Sequence, residues 1–182
     1  MKVFINPGHA PNGNPDPGAV NPKTGLREYD VAVIIGNNLD ACLRAVGYET
    51  KVLQSDSLEE ICETANEWGA DLFISIHCNS AGNDLAEGTE VWYQSDAGAK
   101  LAQCVDDQII NSLHTVDRGI KEAVPGRCGL YVLENTNMTA VLVETAFISN
   151  PDDEKLLGAT NYQIEFARAI ARGVTDYGST GN

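Results

Sequence analysis

Three apolar, strand-like runs in this 182-residue sequence end in, or contain, a group able to bind a metal or move a proton. Lys2 to Asn6 leads through Pro7-Gly8 to His9, Asp71 to Ile76 leads to His77, and Val141 to Phe147 carries Glu144 within it. Glu28 falls in the first turn of the helix after a long first loop, where the chain can return to the same end. Ligands of open α/β sheets bind beyond the carboxyl ends of the strands, so these four residues can meet. Two imidazoles with two carboxylates are the parts of a hydrolytic zinc site, one acid as ligand and the other free to carry protons. The spacing is long-range and has none of the specificity of a local H-E-x-x-H motif.

Each residue also has a blander reading. A histidine after a strand is more often a hydrogen-bonding loop residue than a ligand, and Glu28 could simply complement the positive end of its helix. Glu144 resists that treatment, because a carboxylate inside an apolar strand is costly unless paired, hydrogen-bonded or near a metal. Side chains alternate along a strand, so Glu144 can face the site while Val143 and Thr145 face away. His114, the third histidine, ends a helix beside Ser112 and Thr115, where solvent exposure is expected.

The elements needed to position these groups alternate along the chain, which implies an α/β fold. The expected strands are Lys2 to Asn6, Tyr48 to Leu53, Asp71 to Ile76, Thr89 to Gln94, Gly129 to Leu133 and Val141 to Phe147. Helices are expected over Leu26 to Val46, ended by Gly47, and over Ser57 to Trp68, with Ser57 as cap and Glu60 closing a capping box. Further helices are expected over Ala97 to Leu113, after the cap Asn150-Pro151, and over Tyr162 to Tyr177. The fold expected is one domain with a mostly parallel, twisted central sheet of about six strands and helices on both faces. Residues 178–182 read as a disordered tail.

A 43% hydrophobic share suits a globular domain of this length, large enough to form a core without metal or disulfide staples. Twelve basic against 26 acidic residues leave a net charge of −14, which argues against nucleic acid as a partner. The same charge implies mild, salt-screened repulsion from anionic surfaces. No stretch has the apolar length to span a bilayer, and Met1-Lys2 run into a strand with no signal-peptide pattern. Cys42, Cys62, Cys78, Cys104 and Cys128 are odd in number and scattered, unlike a disulfide framework, and Cys42, Cys62 and Cys104 read as small buried hydrophobes on helices.

Together the motifs resemble those of the N-acetylmuramoyl-L-alanine amidases of the amidase 3 type, from about Val3 to Tyr177. The resemblance runs through NPGH (Asn6 to His9), DPGA (Asp16 to Ala19), Glu28, ISIHCNSA (Ile74 to Ala81) and GTEVWY (Gly88 to Tyr93). It continues through RGIK (Arg118 to Lys121), GLYVL (Gly129 to Leu133) and VLVETAFISNPDDEKLL (Val141 to Leu157). Each is weak alone, but together and in order they are specific. The resemblance implies one zinc ion held by His9, Glu28 and His77, Glu144 as the catalytic glutamate, and Asn79 as a residue lining the substrate site. Two departures stand out: Asn6 where the family usually has Asp, and Ala146 where it usually has Gly. The amide can still accept a hydrogen bond, and alanine is tolerated unless its φ is positive.

The resemblance further implies hydrolysis of the amide between N-acetylmuramic acid and L-alanine in bacterial peptidoglycan, with Glu144 passing the water's proton to the leaving amine. Residues 1–177 then form the catalytic domain, peptidoglycan is the partner, and a monomer without nucleic-acid or membrane partners is expected. The chain would act on the cell wall as a phage-type lysin, a mother-cell enzyme or a trimmed piece of an exported autolysin. Two alternatives stay open. One is a carboxypeptidase-like zinc peptidase, for which Arg118 or Arg127 would have to clamp a substrate carboxylate. The other is a catalytically silent wall-binding module.

Overall fold

The computed structural model describes residues 1–180 of the chain. Six strands form one sheet: β1 (Lys2–Pro7), β2 (Glu49–Val52), β3 (Leu72–Asn79), β4 (Thr89–Tyr93), β5 (Asp117–Glu122) and β6 (Thr139–Phe147), in the order β2-β1-β3-β6-β4-β5. All neighbours are parallel except β4 and β6, so β4 and β5 run against the other four. The helices are α1 (Glu28–Ala45), α2 (Leu58–Trp68), α3 (Asp96–Leu113), α4 (Tyr131–Asn135), α5 (Pro151–Gly158) and α6 (Thr160–Ser179).

Strand alternation sorts the core into two layers. Val3, Ile5, Leu72, Ile74, Ile76, Val141 and Val143 face α1, α3 and α6. Phe4, Phe73, Ala140 and Leu142 face the other way, against Ile61, Cys62 and Ala65 of α2 and Val132 and Leu133 of α4. The second layer is thin, since α4 is barely one turn long. Ser75, His77 and Glu144 project on this thin side, which is why the strand ends stay accessible there.

The helix ends follow local chemistry. Ser57 caps α2 by accepting from the N–H of Glu60. The reciprocal half of the capping box does not form: the carboxylate of Glu60 takes the hydroxyl of Ser55, whose Oγ accepts from the N–H of Ser57. Asn150 caps α5 by accepting from the N–H groups of Asp152 and Asp153, as its place before Pro151 implies. The long first helix begins at Glu28 rather than Leu26, because Val20 and Arg27 form a β-bridge that holds the entry extended. The last helix continues to Ser179, whose hydroxyl donates to the carbonyl of Thr175, so Gly178 and Ser179 belong to it rather than to a tail. Of that expected tail, residues 181–182 lie outside the described part.

One strand lies elsewhere than the sequence implies. Leu130 packs partly buried while Val132 and Leu133 are both buried, a helical turn's spacing, and the segment forms α4 instead of a strand. The sixth strand is β5, whose charged Asp117, Arg118, Lys121 and Glu122 hide its extended character. An edge strand needs little apolar surface, and charges there oppose further pairing. His114 is exposed and ends α3 in the left-handed conformation.

α6 lies so close to α3 that a β-carbon at Gly173 would stand 2.6 Å from the Cα of Val105. Gly173→Ala is expected to destabilise the domain by roughly 2 kcal/mol through overpacking against backbone, lowering Tm by about 4–8 °C. Gly82→Ala, with open space around it, should leave the thermal denaturation midpoint within about 1 °C.

Candidate metal centre

β1 and β3 run side by side, with Ile5 opposite Ile74 and Pro7 opposite Ile76. His9 therefore emerges beside His77, their ring centroids 5.0 Å apart and nearly perpendicular. β3 and β6 pair with His77 opposite Glu144, which puts that carboxylate on the same face one strand away. Glu28, the first residue of α1, is only 4% exposed and points back to the same place. Its Oε1 lies 2.9 Å from His9 Nε2 and 2.9 Å from His77 Nδ1, and accepts from the N–H of Cys78. Its Oε2 accepts from the N–H of Ala19.

The first loop is shaped to bring His9 in. His9 has a φ of 69°, a region uncommon for residues other than glycine. Its Nδ1 lies 2.7 Å from Asp16 Oδ2, and the other Asp16 oxygen accepts from the N–H of Gly18. With a cation at Nε2, this carboxylate–imidazole contact would keep the ring proton on Nδ1 and turn Nε2 to the centre. Glycines make the approach possible. A β-carbon on Gly18 would stand 2.5 Å from His9 Cδ2 and 2.6 Å from Glu28 Oε2, and one on Gly8 would stand 2.3 Å from His77 Cε1.

The donor atoms of His9, Glu28 and His77 lie within 4.8 Å of one another. His9 Nε2 is buried and close to Glu28 Oε1, yet off the line a hydrogen bond requires, so it has a charge partner but no hydrogen-bond partner. A buried ring nitrogen facing a carboxylate oxygen suits a shared cation. Tetrahedral ligands at about 2.0–2.1 Å from zinc stand about 3.4 Å apart, so the two 2.9 Å contacts would open by about 0.5 Å. Two imidazoles and one carboxylate with an open side fit a catalytic zinc set.

Charge shapes the centre strongly. Burial opposes ionisation of Glu28, but the hydrogen bond of His77 and the charges of both histidines hold it well below the usual carboxylate range. Burial likewise pulls the His9 imidazole down, and Glu28 followed by Asp16 lifts it to about 9. Glu144 shifts the opposite way, pushed up to about 7 chiefly by burial, with Glu28 and Glu90 adding to the rise and the histidines opposing it. Its Oε2 is buried and, among the described residues, has no hydrogen-bond partner. A carboxyl poised near neutrality with a free oxygen is suited to taking and returning a proton.

Asn79 sits two residues beyond His77 and is engaged within the protein. Its Nδ2 donates to Glu90 Oε1 at 3.0 Å and its Oδ1 accepts from the N–H of Ser80. Asn6 answers its departure from aspartate: Oδ1 accepts from the Ser75 hydroxyl while Nδ2 donates to the carbonyl of Leu53, which a carboxylate could not do. Ala146 is fully buried in β6 and is not among the positive-φ residues. Sequence reasoning assigned no role to Asp16 or Glu90. Both lie inside quoted motifs, and their signal is an acid that must be buried or loop-bound next to a histidine or a strand carboxylate.

The fold is an α/β sheet with three potential metal donors gathered at one end of its strands. A sequence profile described as N-acetylmuramoyl-L-alanine amidase matches residues 3–176, so the chain belongs to that family. It is 37% identical to YqiI of Bacillus subtilis over 96% of this chain and 84% of that one. It is 34% identical to the N-acetylmuramoyl-L-alanine amidase LytC of the same organism, over 96% of this chain but 35% of LytC. The crystal structure of an N-acetylmuramoyl-L-alanine amidase from Clostridium difficile 630 superposes with a TM-score of 0.87 at 32% identity, covering 100% of this chain and 98% of that one.

Two outcomes are expected from these electrostatics. Asp16→Ala should weaken zinc affinity about 10–100-fold in competition with a chelator while the fold remains intact. Because Glu144 holds its proton more tightly folded than unfolded, folding stability falls as pH rises from about 4.5 to about 7. Glu144→Gln should therefore stabilise the metal-free protein by about 3 kcal/mol above pH 7 and give no gain below pH 4.5, read from denaturation at both pH values.

Proposed function

We propose that the protein is a zinc-dependent amidase that hydrolyses the amide between the lactyl group of N-acetylmuramic acid and L-alanine in bacterial peptidoglycan. One observation carries the reading: three converging metal donors face the half-buried Glu144, whose buried Oε2 has no hydrogen-bond partner among the described residues, in a chain of the amidase family. His9 Nε2, Glu28 Oε1 and His77 Nδ1 would hold the metal, and Asp16 would keep the His9 lone pair on it. Zinc bound there would acidify water and polarise the amide carbonyl.

The chain's own residues supply the rest. Glu144 Oε2 accepts the proton of the attacking water and returns it to the departing alanine nitrogen, so the carboxylate ends the cycle as it began. Burial helps both halves, because a carboxyl near pH 7 is a stronger base than an ordinary one and still donates to an amine. Asn79 holds Glu90 in place beside Glu144, a positioning role. The amidase runs on peptidoglycan as its partner, at the cell wall.

Zinc-loaded protein on purified peptidoglycan should free new N-terminal L-alanine without new reducing sugar ends, and chelation should abolish the release. Reducing ends instead would make the reaction glycosidic and sink the reading. Glu144→Gln should keep stoichiometric zinc and lose at least about 1,000-fold in turnover, whereas His77→Ala should lose the metal by elemental analysis.

A further inference from the structure

A row of polar side chains crosses the thin face of the sheet away from the metal donors. Glu90 lies directly opposite Glu144 across the β4–β6 pair. β5 bulges beside Glu90, since Thr89 pairs with Asp117 but Val91 pairs with Ile120, and Arg118 lies in that bulge. Glu90 is only 6% exposed and both its oxygens are used. Oε1 accepts from Asn79 Nδ2 at 3.0 Å and Trp92 Nε1 at 3.1 Å, and Oε2 accepts from Arg118 Nε at 2.7 Å. A second bulge brings Phe147 opposite Asn79, and the guanidinium of Arg118 lies 4.8 Å from its ring centroid.

These contacts engage part of the guanidinium without consuming it. Nε goes to Glu90 and one terminal nitrogen makes a long 3.5 Å contact to the carbonyl of Glu87, while the side chain stays 36% exposed. The remaining N–H groups form the fork that carboxylates accept in pairs. The opposite direction from the metal donors differs. There a cleft of about 320 Å³ runs from His9 and His77 between α2 and α4, lined also by apolar Leu58, Ile61 and Leu130 and by Asp16 and Asp56, with no Lys or Arg among the described lining residues.

We infer that Arg118 is a specificity-determining residue that receives a carboxylate of the stem peptide, so that the peptide runs over β4 and β5 and the sugar occupies the α2–α4 cleft. The inference rests on the proposed function, with the scissile amide at Glu144. Two strand spacings, about 10 Å, separate the backbones at Glu144 and Arg118, and an extended peptide advances about 3.3 Å per residue. A carboxylate one residue past the alanine is therefore within reach of the side chain. In muramyl peptides that residue is a glutamate linked onward through its side chain, leaving an α-carboxyl either free or amidated. On a chain of charge −14, an acid in the other direction would meet Asp16 and Asp56.

The test uses the zinc-loaded protein with two muramyl tripeptides differing only in that α-carboxyl, free or amidated. Wild type should favour the acid by about tenfold in kcat/KM, mainly through KM, and less so at high salt. Arg118→Gln should lower kcat/KM about tenfold further on the acid than on the amide, and Arg118→Lys should keep part of the preference. A purely structural role would lower both substrates equally in either variant, and that result, or no preference in wild type, would overturn the assignment alone. Wild type that cleaves neither tripeptide, nor peptidoglycan, would remove the proposed function and this assignment with it.

Discussion

The carboxylate of Glu28 cannot sit ionised at 4% exposure without partners, and satisfying it ties the molecule together. Its oxygens accept from the N–H groups of Ala19 and Cys78, and both histidines close on Oε1. Those partners come from the first loop, from β3 and from the end of β1, so one buried charge joins three pieces of chain to the start of α1. Placing Glu28 at the first turn of a helix adds the favourable end of the helix dipole. The price of this arrangement is a cluster of acids and bases that burial alone would neutralise, which is the condition a metal centre needs.

Around that charge the supporting contacts grade outward. Asp16 acts on His9 from the loop, and the glycines at 8 and 18 remove the β-carbons that would keep the rings apart. Glu144 stands one strand further, with no partner on Oε2 among the described residues, where burial and neighbouring acids weaken it as an acid. Glu90 stands opposite it and is neutralised by Arg118, so the next carboxylate along the row is satisfied while Glu144 is left free. A bulge in β6 turns Phe147 onto this face, and a second in β5 lies at Arg118.

The asymmetry of the two core layers sets where this chemistry can occur. Residues of α1, α3, α5 and α6 seal one face, while the other has only α2 and the single turn of α4. A sheet end left open on one side gives a substrate access to strand residues that stay rigid in the hydrogen-bonded ladder. The chain carries 26 acidic residues against 12 basic ones, so a cation held near the site, as Arg118 is, stands out.

The sequence by itself determined the class of fold, the four residues proposed for the reaction and most element boundaries. Apolar runs with period two, helix caps such as Ser57 and Asn150, and polar groups at strand ends are local signals, written within a few residues. Glu144 was legible because a carboxylate is too costly to bury in an apolar strand unless a charge, a donor or a metal meets it. The tertiary structure alone decided that β5 is a strand and that Gly129 to Leu133 is not, because an edge strand carries charge and a five-residue apolar run has no period of its own. It alone decided the partner of His9, the pairing of Glu90 with Glu144, and the aim of Arg118. Those depend on register between distant strands, and no spacing along one chain encodes which strand lies next to which.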